Sequence, residues 1–148
     1  MPRTNWLRMI IGILIATLIM FFSDGFFHER IVVADWTAVY TALGIRPPVH
    51  STANLLYFFI FELGRGILAM SLYVMLRVCW KPGPAAAALA GIVTWIAFSV
   101  TGPAQFIPLG FFSNALWLKV GAIHLVTSIV ATIAGAALYK DAARPAVA

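Results

Sequence analysis

Residues 55–76 read LLYFFIFELGRGILAMSLYVML, an apolar run broken by only two charges, Glu62 and Arg65. As a helix this run rises about 33 Å, enough to cross a hydrocarbon core about 30 Å thick. Three further runs, 9–22, 85–100 and 115–138, approach the same length once flanking residues are recruited. The four runs fill most of the 148 residues, of which 62% are hydrophobic and 10% charged, with a mean hydropathy of +0.95. A soluble domain averages about 25% charged residues, so this composition excludes a water-soluble globule. It predicts an all-α, polytopic membrane protein, a single four-transmembrane-helix bundle over residues 1–148. The remaining chain is too short for an aqueous domain, so chemistry is confined to the bilayer and its two surfaces.

The ten basic residues are scattered rather than gathered into a stripe with interleaved aromatics, which argues against nucleic acid. They are topology signals. Arg3, Arg8, Arg77, Lys81, Lys140 and Arg144 fall on one side of the predicted threading and only Arg30 and Arg46 on the other, an imbalance of six to two. Lys and Arg in short loops are retained on the cytoplasmic side, so both termini are expected inside, in a multi-pass inner (cytoplasmic) membrane protein. Arg3 and Arg8 before an apolar run also resemble a secretory signal, but three further spans predict that it stays attached as the first helix. Cys79, the single cysteine, excludes an intramolecular disulfide and a Cys-x-x-Cys thiol centre.

The first outer segment, 23–51, is the long connection. Within it Asp35 is a candidate N-cap, Trp36, Val39, Tyr40 and Leu43 form an apolar stripe, and Gly44 is a stop, predicting a short outer interfacial helix over 35–43. Arg46-Pro47-Pro48 then breaks the chain. Lys81-Pro82-Gly83-Pro84 is a tight inner turn with proline at the start of helix three. The second outer loop, 101–114, has no charge and carries Phe106, Ile107, Leu109, Phe111 and Phe112, which suits the headgroup boundary. Ala87-x3-Gly91 and Ala131-x3-Gly135 read as close packing faces. A weak parallel repeat aligns Glu62-Leu63-Gly64 with Lys119-Val120-Gly121 and Ser71 with Ser128.

Ionisable side chains inside a span cost several kcal/mol unless paired or wetted, so they point to function. Counting ~1.5 Å per residue from Arg8, Asn54 and Asn114 places Asp24 ~6 Å, Glu62 ~12 Å, Arg65 ~16 Å, Lys119 ~8 Å and His124 ~15 Å below the outer surface. Glu62, Arg65, Gly66, Ala69 and Tyr73 share one side of the second span. Trp117, Gly121, His124, Ser128, Ala131 and Gly135 share one side of the fourth, and Thr17, Asp24 and His28 fall together on the first. The predicted intramembrane polar cluster is therefore Asp24, Glu62, Arg65, Lys119 and His124. It is either a pocket open to the outer side or a set of internal ion pairs, Glu62 with Arg65 or Lys119 and Asp24 with Arg65, that fix helix register.

Other chemistries find less support. His28 and His50 lie near the surface while His124 is deeper, which disfavours haem. Asp24, His28 and Glu29 with Glu62 have metal-ligand character, but a solvated helix end explains them, and neither a metal nor another cofactor is expected. There is no Gly-rich phosphate loop, no Gly-x-Ser-x-Gly and no visible Ser or Cys nucleophile beside a histidine, so no enzyme is expected. Trp6, Trp36, Trp80 and Trp117 fit an interfacial belt.

Tyr73, Arg77, the turn at 81–84, Ala88-Leu89-Ala90-Gly91 with Trp95, Ala34-Asp35-Trp36 and the run from Ala134 to Tyr139 together resemble an uncharacterised group of small four-helix bacterial integral membrane proteins. The group's frequent Lys-Thr after Pro-Gly-Pro is replaced here by alanines. The resemblance implies a fold and no activity. Two functions then compete: action by association, as a homo-oligomer or an accessory subunit of a larger membrane complex, and a small carrier or channel using the outer polar pocket around Glu62, Arg65 and His124. The expected partners are the lipid bilayer and other membrane chains or the protein itself.

Overall fold

The computed structural model describes residues 4–48, 51–111 and 113–140, and its framework is four helices long and apolar enough to cross a membrane. They are α1 (Trp6–Arg30), α3 (Thr52–Cys79), a broken third span and α6 (Asn114–Ala137). The third span starts as α4 (Pro84–Trp95), passes through a π-helical stretch at Ile96–Thr101 and ends in one short turn, α5 (Gly102–Ala104). A short helix, α2 (Val33–Ala42), links α1 to α3. The spans form a closed ring in which α1 packs on α3, α3 on α4, α4 on α6 and α6 on α1, while α3 and α6 also meet across the centre. His50, Phe112, Arg3 and Arg144 lie outside the described residues.

Local chemistry sets the ends of the spans. Asn5, Ser51 and Ser113 each accept, through the side chain, from the backbone N–H three residues on, at 3.2 Å, so three of the helices begin with a polar cap. Gly83, at φ +153°, turns the chain into Pro84, the first residue of α4. At that end of the bundle, here the turn end, the Asn5 backbone N–H donates to the Tyr139 hydroxyl, Arg8 donates to the Leu138 carbonyl, and the Arg77 guanidinium lies 4.6 Å from the Tyr139 ring centre.

Three elements differ from the sequence reading. Helix α1 continues past Phe22 through Ser23, Asp24 and Gly25 to Arg30, because Asp24 is buried and paired rather than leaving the membrane. Helix α2 begins at Val33 with Val32 as its cap, so Asp35 sits in the first turn and its carboxylate serves Lys119 instead of capping. Its end is as expected: Gly44 takes φ +65°, and the Gly44 and Ile45 N–H groups donate to the Thr41 and Tyr40 carbonyls, the paired bonds of a Schellman stop. The third span runs on to Ala104 through residues expected to be loop. Pro103 has no N–H for the Ser99 carbonyl and its ring crowds that carbonyl, and the wider π-helical turn relieves the crowding.

The interior is rich in small side chains, Ala16, Ala69, Ala87, Ala90 and Ala131 among them, with Met20 and Met70 filling between them, whereas many large apolar residues such as Leu7, Phe22, Tyr57, Phe58 and Leu118 face outward. Lipid is as apolar as leucine, so tightness comes from close backbone approach. A Cβ on Gly91 would stand 2.8 Å from the Ser128 carbonyl, and one on Gly135 would stand 2.5 Å from the Gly12 carbonyl. Gly121, on the same helix as Gly135, has open space. Gly91→Ala and Gly135→Ala are therefore expected to cost about 1–3 kcal/mol each by overpacking, while Gly121→Ala is neutral or stabilising. Melting temperatures in mild detergent check this, and equal effects at the three positions would refute it.

Candidate functional site

Arg65 is fully buried at the centre of the ring. Its neighbour Gly66 lets α1 come close, since a Cβ there would collide with the Thr17 hydroxyl and stand 3.0 Å from the Ile13 carbonyl. The guanidinium then reaches three helices. Nη1 donates to the Asp24 carboxylate on α1 and to both Glu62 oxygens, at 3.1 and 2.8 Å. Nη2 donates to Ser128 Oγ on α6 at 2.7 Å. Asp24 Oδ1 and Arg65 Nε are buried with no hydrogen-bond partner among the described residues.

The cluster extends toward α2 through two histidines. His124 Nε2 stands 3.4 Å from Asp24 Oδ2, within ion-pair reach though not aligned as a hydrogen bond, and His124 Nδ1 is 2.9 Å from Ser99 Oγ. The carboxylate beside Nε2 favours the proton on that nitrogen, leaving Nδ1 to accept from the Ser99 hydroxyl. His28 Nδ1 donates to the Asp24 carbonyl at 2.7 Å, so in neutral His28 the other nitrogen is an acceptor. The two rings lie 5.5 Å apart, and His28 stacks on Trp36 of α2 at 6.2 Å.

Asp24, Glu62, Arg65 and His124 thus meet as the sequence predicted, but Lys119 does not join them. Five residues along α6 turn its direction about 140° away from His124. Its side chain, 54% exposed, donates to Asp35 of α2 at 3.0 and 2.9 Å. The same contrast separates the members of the proposed repeat, Glu62 buried and Lys119 exposed. Losing Lys119 changes the charge count: two carboxylates face one guanidinium, leaving one negative charge uncompensated. Depth counting treats all charges on a span alike, which is why the pairing with α2 escaped it.

Ser99 was missed, and it corrects the expectation that no serine stands beside a histidine. Nothing in its spacing marks it, because it reaches His124 from the π-helical turn set by Pro103. Ser99, His124 and Asp24 follow the order of a nucleophilic triad. The third member, however, must stabilise an imidazolium, and here its carboxylate is already bound by Arg65. The chain of contacts suits proton passage between the cluster and Ser99 better than nucleophilic attack.

Ser99, His28 and His124 form one wall of a half-open cavity of about 420 Å³ at the α2 end. Trp36, Phe61, Phe98, Phe106 and Trp117 supply half of the rest, so Trp36 and Trp117 line a cavity where an interfacial belt was expected, while Trp6 and Trp80 are exposed. The Lys119–Asp35 pair and the His28–Trp36 stack hold α2 beside it.

Arg65→Leu is expected to strand two buried carboxylates and cost about 3–5 kcal/mol. Adding Glu62→Gln leaves Asp24 stranded, so recovery requires Asp24→Asn as well. Lys119→Ala, which breaks an exposed pair, should cost under about 1 kcal/mol. Thermal unfolding in detergent orders the four variants, and a triple variant no better than Arg65→Leu would contradict the charge-compensation account. Comparison with protein-family models, with curated proteins and with solved structures finds no match to this chain.

Proposed function

We propose that the protein is a small membrane carrier whose central cluster holds one exchangeable proton and whose cavity at the α2 end receives a small solute. The supporting observation is the charge imbalance: Asp24 and Glu62 against Arg65, all buried, beside a cavity wall made by His28, Ser99 and His124. A buried uncompensated charge costs several kcal/mol, and one proton within the cluster removes it. The Ser99–His124–Asp24 contacts give that proton a route to the cavity. Hydrolysis is not assigned, because Arg65 already engages the Asp24 carboxylate.

Action by association, with a second copy or as an accessory subunit, rests on the apolar exteriors of α1 and α3. Lipid chains cover those surfaces equally well, and the small-residue faces that favoured association are spent inside the bundle, Gly91 against α6 and Gly135 against α1. The carrier reading is the better supported.

The charged groups facing the proton are Asp24 and His28 on α1, Glu62 and Arg65 on α3 and His124 on α6, with the Lys119–Asp35 pair farther out. A folded state that binds one more proton than the unfolded state loses stability as pH rises. The melting temperature of the wild type should fall with rising pH, and Glu62→Gln, which is neutral at every pH, should flatten the curve. A wild-type curve already flat, or one that Glu62→Gln leaves unchanged, would overturn the proton assignment.

From the six-to-two imbalance of Lys and Arg we infer that both termini lie in the cytoplasm of a cell with an inner membrane, with the α2 end outside. Cys79 reports on this directly, being exposed at the turn end and the only cysteine of the chain. A membrane-impermeant maleimide should label it only after permeabilisation, and labelling in intact cells would reverse the orientation.

A further inference from the structure

We infer that the cavity at the α2 end takes a hydrophobic organic monocation, a quaternary ammonium or protonated amine on an aromatic or apolar body, whose charge replaces the proton of the cluster. The inference rests on the proton-holding reading above and adds the class of solute.

Three features of the site converge on it. The first is electrostatic. Two carboxylates against one guanidinium leave one negative charge behind the histidine wall, and a low-dielectric surround weakens its screening. The second is the wall itself, where Trp36, Phe61, Phe98, Phe106 and Trp117 offer aromatic faces to an apolar body, and a cation within about 6 Å of such a face is attracted by its quadrupole. The third is the set of polar groups. In the tautomers their partners favour, neutral His28 keeps an acceptor nitrogen and Ser99 keeps oxygen lone pairs, so a protonated amine finds acceptors.

An anion finds no comparable host. Arg65 is fully buried behind three partners, and Lys119 is held by Asp35 on α2. A hard inorganic cation would ask for several oxygen ligands, whereas this lining is mostly apolar. A monocation also suits the charge balance, since one positive charge and one proton compensate the same deficit, and binding of either expels the other. Acid should therefore weaken cation binding by returning the proton to the cluster formed by Asp24, Glu62, Arg65 and His124, which His28 faces from α1, with the Asp35–Lys119 pair at the rim.

The test is a binding isotherm on the full chain in mild detergent, with phenyltrimethylammonium as the probe. Its uncharged isostere tert-butylbenzene and the anion benzenesulfonate serve as controls. The expected result is saturable binding of phenyltrimethylammonium, about tenfold or more tighter than tert-butylbenzene, with no saturable binding of benzenesulfonate. Calorimetry in buffers of different ionisation enthalpy should show a proton released as the cation binds, and Trp36→Leu, on a helix outside the ring, should weaken the cation more than the isostere. Equal affinity for cation and isostere, preference for the anion, or binding without proton release would each overturn the inference. If phenyltrimethylammonium fails while the pH dependence of melting and its loss in Glu62→Gln persist, only the solute class is wrong. If the pH dependence is absent too, the proton-holding reading falls with it.

Discussion

A guanidinium cannot be deprotonated in a protein, so a fully buried Arg65 forces the rest of the bundle to supply its counter-charge. Asp24 has to lie within α1, which carries that helix on to Arg30. Residue 66 has to be glycine-sized, so that α1 can approach close enough for Asp24 to reach across. Ser128 has to face inward from α6, and Glu62 one turn before Arg65. Four side chains on three helices are thereby locked to one register, and a slide of α3 by a single turn, about 5.4 Å, would break the Arg65 bonds to Asp24 and Ser128 together. Buried ion groups seldom raise stability over an apolar core, but they penalise the wrong alignment heavily.

The second constraint is steric. With lipid outside there is little hydrophobic force between helices, and the ring closes because glycines and alanines let backbones touch. Gly12 against Gly135 joins α1 to α6, and Gly91 joins α4 to the Ser128 and Ile129 backbone. The residue that receives Arg65 therefore sits on the segment of α6 that Gly91 of α4 approaches. Ion cluster and glycine contacts reinforce each other along α6, which meets every other span of the ring.

Much of this was legible in the sequence. The four spans follow from apolar length, and the convergence of Asp24, Glu62, Arg65 and His124 follows from helical facing, because a charge in a span has only the bundle interior to turn to. The small-residue faces around Gly91 and Gly135 were also readable from spacing. What escaped has local causes. Lys119 sits high enough on α6 for a long, flexible stem to reach α2, so depth did not decide its partner. Ser99 depends on a π-helical turn raised by a proline four residues on, a geometry with no periodic signature. Asp35 looked like a cap by residue type, but a hydrogen-bonded partner from a distant part of the chain outweighed a local role. The Trp36 and Trp117 positions satisfy both a belt and a cavity wall, and only the placement of α2 distinguishes them.

The cluster and its cover differ in how firmly they are held. Arg65 and its partners are buried on three helices, whereas α2 has no buried residue, and its contacts include a partly exposed ion pair and an aromatic stack. An exposed pair is worth about 0–1 kcal/mol and a ring stack about 0.5–1.5 kcal/mol, while stranding one buried charge costs about 3–5 kcal/mol. The named α2 contacts are thus weaker than those within the cluster. Access to the site and the charge balance within it are set by different parts of the chain. On the carrier reading proposed above, a solute would be retained by satisfying the buried charge, so selectivity would be set at the cluster rather than at the mouth.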